Sequence, residues 1–261
     1  GARHRIVDGF HLGSTVDPDP DGQPGNSADG DDLNGDDEDG VVFTSPTVTG
    51  EVVTLDVTAN TSGLLNAWLD FNIDGDWDDS GEQIFTNYTL TPGVNNLSFT
   101  VPETATPNLT YARFRFGSQE NLSYDGFAQD GEVEDYAVVI NGLDFGDAPD
   151  PPYATYRASN GARHILPSLQ PPALYLGQKV DADVDGQASV SADGDDNNGD
   201  DEDGVTFTSL LVPGQQASMD VLASATGLLN VWIDFNRNGS WAEARELVFS
   251  NLELQPGYKS L

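Results

Sequence analysis

The sequence predicts an all-β protein built from tandem β-sandwich domains, Ig-like or jelly-roll-like, that carry acidic loops. Short runs of β-branched and aromatic residues are separated by Gly, Pro and Asn, as in a sandwich. The chain repeats itself at an offset of 164 residues, and each copy holds a dense acidic stretch. A repeat of this length is too long for a solenoid unit, so it indicates an array of whole domains.

Five segments of the first copy have the composition of strands, and no amphipathic helix of useful length is found. One of them alternates polar and apolar residues, which predicts that Ala112, Phe114 and Phe116 share one face. The predicted strands are Val52–Val57, Leu64–Phe71, Leu97–Val101, Tyr111–Phe116 and Asp135–Ile140.

The repeat also predicts the domain boundaries. Gly-Ala-Arg-His occurs at 1–4 and 161–164, and residues 27–41 match residues 191–205 at 14 of 15 positions. We therefore expect a first domain over residues 1–142 and a second over residues 161–261. Residues 143–160 are rich in proline and form either a stiff connection or the start of the second unit.

The second domain is expected to be incomplete at its C-terminus, because Leu261 corresponds to Leu97. A sandwich without its last strands would have an open edge and an uncovered core. Two accounts stay open. In one, the chain is an excerpt of a longer array. In the other, identical subunits complete each other by strand complementation and form a filament.

The charge excludes several classes of partner. The chain has 44 Asp and Glu against 10 Lys and Arg, a formal net charge of −34, and no Cys. Such a charge argues against nucleic acid or an anionic membrane surface, and no apolar run is long enough for membrane insertion. The lack of Cys excludes a disulfide scaffold and a thiolate metal site.

Two stretches, 17–40 and 181–204, each carry ten carboxylates and no Lys or Arg. This density needs a counter-charge, and acidic residues at alternate positions near Gly favour Ca²⁺ over a solvated acidic loop. Oxygen ligands at loop positions 1, 3 and 5, Gly at 6 and Asp at 13 recur in both stretches. The predicted ligands are Asp17, Asp19, Asp21, Asp29, Asp31, Asp32, Asp36, Asp37 and Asp39, with Asp181, Asp183, Asp185, Asp193, Asp195, Asp196, Asp200, Asp201 and Asp203 in the second copy.

A second type of loop has the same spacing and ends with Glu at position 13. Its positions 1 to 6 resemble the start of an EF-hand loop, in which Gly permits the sharp turn towards the ion. Because a predicted strand precedes it, we expect a calcium loop attached to a strand; the alternative is a plain polar turn. The predicted ligands are Asp70, Asn72, Asp74, Asp76 and Glu82, with Asp234, Asn236, Asn238 and Glu246 in the less charged, weaker copy.

Two further carboxylates, Asp130 and Asp135, flank the string Gly-Glu-Val-Glu at the start of the last predicted strand. They could complete a metal site. They could equally pair with Arg113 or Arg115 on a neighbouring strand.

No catalytic set of residues can be assembled. The three histidines, His4, His11 and His164, do not combine with Ser, Asp or Glu into a nucleophile–base arrangement present in both copies, so structural roles are expected for them. We therefore expect no enzymatic activity.

Eight strings follow one another in the order seen in the GEVED domain family, which this chain resembles over most of its length. They are GDAPD, GARH, DADVDGQ, SADGDD, NGDDEDGV, LLNAWLDFNIDGDW, YARFRF and DGEVEDY. The resemblance implies an extracellular, calcium-dependent β-rich module, repeated in large secreted or cell-surface proteins of bacteria and archaea, with no implied enzyme activity. The second copy departs from the pattern because it has no DGEVEDY counterpart.

These observations predict a non-enzymatic structural or adhesive module of a cell-surface adhesin, stalk or filament, made rigid by Ca²⁺. Its partners would be neighbouring repeats or identical subunits. The alternative is a carbohydrate- or surface-ligand-binding module of a secreted multidomain enzyme. In that case Trp77, Trp241, Tyr153 and Tyr156 could stack on glycans, although core packing is the commoner role of such aromatics.

Overall fold

The computed structural model describes residues 1–16, 18, 21–28, 30, 38–169, 174–194 and 203–261. The chain divides into two compact units, Gly1–Asn141 and Gly142–Leu261, so residues 143–160 lie within the second unit. The all-β prediction is confirmed: the described residues form sixteen strands, one short 3-10 helix (Arg157–Ser159) and no α-helix. Within these residues, no helix has the length and apolar character needed to cross a membrane.

The first unit contains two main sheets. The strands that begin in it are β1 (Ala2–His4), β2 (Val41–Phe43), β3 (Thr47–Val48), β4 (Val52–Ala59), β5 (Gly63–Leu69), β6 (Gln83–Leu90), β7 (Gly93–Thr100), β8 (Asn108–Gly117), β9 (Gly126–Ala128) and β10 (Glu132–Phe145). One sheet has the order β2-β4-β7, and the other has the order β10-β8-β5-β6 with β3 beside β10. Strands β1 and β9 pair separately and in parallel.

Side chains of both sheets meet in one core. Strand β4 alternates exposed and buried residues, and its Val53, Leu55 and Val57 lie in the same cluster as Phe114 and Phe116 of β8. Burying one large apolar side chain contributes about 1.5–3 kcal/mol, so this cluster is the main stabilising element of the first unit.

Strand β8 is central in its sheet and confirms the predicted alternation. Ala112, Phe114 and Phe116 are all buried in the core. The strand pairs antiparallel with β5 on one side and β10 on the other, so that Phe114 lies opposite both Ala67 and Glu134. Both edges of β8 are therefore occupied.

The second unit repeats part of this architecture. Its strands are β11 (Arg163–Leu166), β12 (Val205–Phe207), β13 (Met219–Ala223), β14 (Gly227–Trp232), β15 (Leu247–Leu254) and β16 (Gly257–Ser260). Strands β12-β13-β16 form one sheet and β14-β15 another, while β11 pairs antiparallel with residues 142–145 of β10.

The strand register is the same in both units at the 164-residue offset. Gly63 lies opposite Leu90 in β5–β6, and Gly227 lies opposite Leu254 in β14–β15. Even the irregularity after Leu65 recurs after Leu229. The duplication seen in the sequence is therefore a duplication of strand pairing.

Burial differs between the copies. Trp68 is 4% exposed, whereas its counterpart Trp232 is 48% exposed. Phe71 is 5% exposed and its counterpart Phe235 is 56% exposed. The core cluster of the second unit is smaller, and its buried residues come from β13, β14 and β15: Met219, Val221, Ala223, Leu229 and Leu254.

All five predicted strands of the first unit are present, as β4, β5, β7, β8 and β10. Strand β6 was not predicted, because its sequence mixes polar and apolar residues and few of its side chains are buried. Asn87 in its middle takes a positive φ of 48°, which interrupts a regular alternation.

Candidate metal centre

The loop between β5 and β6 brings five predicted ligands to one turn of the chain. Asp70 follows the last residue of β5, and Glu82 precedes the first residue of β6. The Leu69 amide donates to the Glu82 carbonyl at 2.9 Å, which holds the two ends of the loop together. The Thr110 hydroxyl of β8 donates to the Asp70 carbonyl at 2.7 Å, so the core sheet fixes the position where the loop begins.

The loop winds through successive turns in which side-chain oxygens accept backbone amides. Asp70 Oδ1 accepts from Ile73 at 2.6 Å, and Asp70 Oδ2 accepts from Gly75 at 3.1 Å. Gly75 has a φ of 93°, a conformation that favours glycine and explains its place at position 6. The next predicted ligands each accept the amide two residues further on: Asn72, Asp74 and Asp76.

Glu82 closes the loop and is 2% exposed. Its Oε1 accepts the Phe71 amide at 3.0 Å, whereas its Oε2 is buried with no hydrogen-bond partner among the described residues. Burial raises the pKa of this carboxyl, and the nearby charge of Asp70 adds to the rise. A buried carboxylate oxygen without a partner is unfavourable unless a positive charge is close to it.

The loop between β14 and β15 repeats this arrangement. The Gly239 amide donates to Asp234 Oδ2 at 2.9 Å, and the Asn238 amide donates to Asn236 Oδ1 at 2.9 Å. The Ile233 amide donates to the Glu246 carbonyl at 2.9 Å, which closes the loop as in the first unit. Glu246 is 0% exposed, and neither of its carboxylate oxygens has a hydrogen-bond partner among the described residues.

Aromatic side chains pack against both loops. In the first unit, the Arg113 guanidinium lies 4.6 Å from the Trp77 ring centroid, and Tyr124 donates to Asp78 Oδ1 at 2.7 Å. In the second unit, Tyr153 stacks on Trp241 with ring centroids 4.3 Å apart. Three of the four aromatic residues suggested for glycan stacking, Trp77, Tyr153 and Trp241, thus contact protein side chains, whereas Tyr156 is 38% exposed.

Most of the predicted ligands in the first acidic stretch, and four of those in the second, lie outside the described residues. This applies to Asp17, Asp19, Asp29, Asp31, Asp32, Asp36 and Asp37, and in the second copy to Asp195, Asp196, Asp200 and Asp201. Of the described residues, Asp21 accepts the Gly22 amide at 3.0 Å and Asp39 accepts the Ser14 amide at 2.8 Å.

The described part of the second acidic stretch is used mainly to fix the backbone. Asp183 Oδ2 accepts the Phe145 amide at 3.1 Å, and Asp185 Oδ1 accepts the Arg157 amide at 2.6 Å. The remaining predicted ligands here are also engaged: Asp181, Asp193 with Ser189, and Asp203 with Gln178.

The Gly-Glu-Val-Glu string holds both ends of the first acidic stretch. Glu132 Oε2 accepts the Leu12 amide at 2.6 Å, and Glu134 Oε1 accepts the Gly40 amide at 3.1 Å. The Tyr136 hydroxyl donates to Glu134 at 3.0 Å and accepts the Val41 amide at 3.0 Å. Both glutamates are buried, so this cluster on β10 anchors the segment between Leu12 and Gly40.

Asp130 and Asp135 bind different protein groups and do not share a metal site. Asp135 forms a two-pronged ion pair with Arg113, with contacts of 2.7 and 2.5 Å, which is the alternative left open by the sequence. Asp130 accepts the amide and the hydroxyl of Ser118 at 2.8 and 2.5 Å.

Sequence reasoning missed a buried arginine. Arg115 is fully buried on β8 and donates to the carbonyls of Ser123, Asp125 and Gly126. Its Nε also donates to His4 Nε2 at 2.9 Å, so His4 carries its proton on Nδ1 and donates it to a backbone carbonyl. Burial, helped by the charge of Arg115, lowers the pKa of His4 to about 4. The alternation along the strand indicated burial only for the opposite face.

Among the residues that the structure describes, no group of three or more His, Asp or Glu side chains is arranged to hold a metal ion. The loops nevertheless fit a cation in their chemistry: each offers Asp and Asn oxygens and ends in a buried glutamate with at least one unpartnered oxygen. Such oxygens are the ligands that Ca²⁺ prefers.

Comparison with known proteins gives a family match within the first unit. No curated protein matches the chain. Residues 64–139, which run from β5 through the Glu82 loop to the glutamates of β10, match the family model of the GEVED domain. The resemblance noted in the sequence is thereby confirmed, and the chain carries a GEVED domain over these residues.

Proposed function

We propose that this chain is a non-enzymatic structural or adhesive module of a secreted or cell-surface protein, and that Ca²⁺ makes it rigid. The observation that carries the proposal is the closing glutamate of the two loops. Glu82 and Glu246 are both buried, and each has carboxylate oxygen without a hydrogen-bond partner among the described residues. Leaving a charged group in that state costs several kcal/mol, and a bound cation removes the cost.

The ion would be held by the oxygens of each loop. In the first unit these are Asp70, Asn72, Asp74, Asp76 and Glu82; in the second they are Asp234, Asn236, Asn238 and Glu246. Asp70 is joined to β5 and Glu82 to β6, so an ion bound by both would link two strands of the core sheet. A metal link between strands stiffens a domain that has no disulfide.

The proposed architecture is a tandem β-sandwich, Ig-like or jelly-roll-like, with the two sheets of each unit facing one another. It is supported by the shared core of the first unit and by the repeated register of the second. Repeated domains of this type suit an extended adhesin, stalk or filament. The proposal includes no catalytic activity.

The proposed partners are neighbouring repeats or identical subunits. Among the described residues β14 pairs only with β15, whereas its counterpart β5 lies between β6 and β8. A strand with the pattern of β8 would pair with β14 as β8 pairs with β5 in the first unit. Sizing the chain in calcium buffer tests pairing between identical subunits, since a monomer at every concentration would exclude it.

Glycans are less well supported as ligands. A sugar-binding platform needs open aromatic faces, whereas Trp77 packs under Arg113 and Trp241 packs on Tyr153. The contacts therefore favour the structural role over the carbohydrate-binding alternative.

Thermal unfolding with calcium and with a chelator tests the calcium proposal. A ligand present at a thousand times its Kd stabilises a protein by about 4 kcal/mol, so the melting temperature should fall clearly on chelation. An unchanged melting temperature at low ionic strength would refute the proposal.

The variant Glu82→Gln makes the test specific. With calcium it should destabilise the first unit, because a ligand is lost. In the presence of a chelator the substitution should leave the stability of the first unit unchanged or raise it, because a buried charge without a partner is removed. The exposed Glu120→Gln is the matched control and should have no effect in either condition.

A further inference from the structure

One tyrosine of the proline-rich segment 143–160 lies directly on the second loop. The Tyr153 hydroxyl donates to Asp234 Oδ2 at 2.7 Å. Its ring stacks on Trp241, with an interplanar angle of 18°. The neighbouring Pro152 lies so close to Gly239 that a Cβ at this glycine would come within 2.5 Å of the proline side chain.

The segment that carries Tyr153 is itself held by hydrogen bonds. The Tyr153 amide donates to the Pro149 carbonyl at 2.9 Å, and the Thr155 hydroxyl donates to the Ala148 carbonyl at 2.7 Å. Asp150 Oδ2 accepts the Thr155 and Tyr156 amides at 3.0 and 3.1 Å. The phenol therefore approaches Asp234 from an ordered turn.

The two loops differ at this point. Among the described residues, the Asp70 carboxylate in the first loop accepts hydrogen bonds from the backbone amides of Ile73 and Gly75 and from no side chain. Asp234 accepts the corresponding Gly239 amide and the Tyr153 hydroxyl in addition. The second loop also has Asn238 and Ser240 where the first has Asp74 and Asp76, so it has less negative charge with which to attract a cation.

We propose that Tyr153 is a positioning residue for calcium in the second loop. This inference rests on the proposed function. By fixing the Asp234 carboxylate, the phenol compensates for the missing charges, as hydrogen-bond partners of metal ligands commonly do. Glu246 is the second feature of this loop that favours a cation, because it is buried and neither of its carboxylate oxygens has a hydrogen-bond partner in the part of the chain that the structure describes.

Calcium binding and the contact of Tyr153 with the loop are thermodynamically linked, so each strengthens the other. If Tyr153 strengthens calcium binding at Asp234, calcium strengthens the contact of Tyr153 with the loop by the same factor. Calcium in the second loop would thus hold the proline-rich segment in place, which supplies a calcium-dependent stiffness at the start of the second unit.

The test uses Tyr153→Phe in the full chain, because phenylalanine keeps the ring stack and removes the hydroxyl. Calcium is titrated while the amide resonances of Gly239 and Gly75 are followed by NMR, so each loop reports separately in one sample. The titration midpoint at Gly239 should rise about tenfold, the lower end of the usual effect of such partners. The midpoint at Gly75 should stay the same, and Tyr156→Phe should change neither.

An unchanged or lower midpoint at Gly239, or an equal rise at both glycines, would overturn the inference while leaving the proposed function standing. If neither glycine responds to calcium in the unaltered protein, the proposed function fails and the inference with it. Amide hydrogen exchange gives an independent measurement. Calcium should slow exchange at Thr155 and Tyr156 in the unaltered protein but not in Glu246→Gln, and equal exchange in both would also overturn the inference.

Discussion

The two units share a strand register but not a core. Strands β5–β6 and β14–β15 pair residue for residue at the same offset, including the irregularity after Leu65 and Leu229. Yet Trp68 is buried and Trp232 is half exposed. Register is therefore encoded within the hairpin, whereas burial depends on residues that come later in the chain, such as Tyr124, whose ring centroid lies 6.4 Å from that of Trp68.

The histidine of the repeated Gly-Ala-Arg-His string shows the same dependence. In the first unit His4 lies on β1, beside β9, and accepts a hydrogen bond from Arg115 of β8. In the second unit His164 lies on β11, which pairs antiparallel with residues 142–145, and is exposed. One sequence motif takes two structural roles because its neighbours differ.

The largest expected effect is the difference in stability loss between alanine substitutions of Trp68 and Trp232. Trp68→Ala should lower the free energy of unfolding of the first unit by about 3–5 kcal/mol, because it leaves a cavity in a packed region. Trp232→Ala should change the second unit by only about 0.5 kcal/mol, as surface substitutions do. Amide hydrogen exchange of the strands reports each unit separately. Equal losses in the two units would show that Trp232 is covered in solution.

A smaller effect on the stability of the first unit is expected when the pH is lowered. The pKa of His4 is lowered to about 4 from 6.5, so the folded first unit holds His4 neutral while the unfolded chain takes up a proton below pH 6.5. Stability from this group is therefore complete above pH 6.5 and is lost as pH falls towards 4. The loss amounts to about 3 kcal/mol at 1.36 kcal/mol for each pKa unit.

Measuring the unfolding free energy of each unit between pH 7 and 4 checks this prediction. His4→Gln should remove the histidine part of the pH dependence in the first unit, since glutamine does not titrate there. The exposed His164→Gln is the matched control and should leave the profile of either unit as it was. A pH profile unaffected by His4→Gln would contradict the assigned role.

The sequence predicted the features that depend on local pattern. Alternation placed Phe114 and Phe116 on one face of a strand, which the structure buries in the core, and loop spacing singled out Asp70 and Glu82 as the ends of one loop. The burial of Arg115 could not be predicted, because a charged residue on an alternating strand is normally exposed. Its partners are backbone carbonyls at Ser123, Asp125 and Gly126, and a sequence does not show where backbone carbonyls lie in the fold.

The contact of Tyr153 with Asp234 could not be predicted either, because the two residues are 81 positions apart and no single motif contains both. The same holds for Glu132 and Glu134. Residues that alternate with Val133 lie on one face of a strand, but this pattern does not show which backbone amides the two glutamates accept. Partners brought together by the fold have to be read from the structure.

The anchoring of Leu12 and Gly40 by Glu132 and Glu134 has a consequence for variation among related domains. Because Glu132 and Glu134 of strand β10 hold the amides of Leu12 and Gly40, the fold itself fixes these two positions. Closing a flexible loop of twice the length costs only about 0.6 kcal/mol more. Insertions and deletions between the two anchors should therefore be tolerated by the framework, which leaves this segment free to diverge in length and charge while the sheets stay the same.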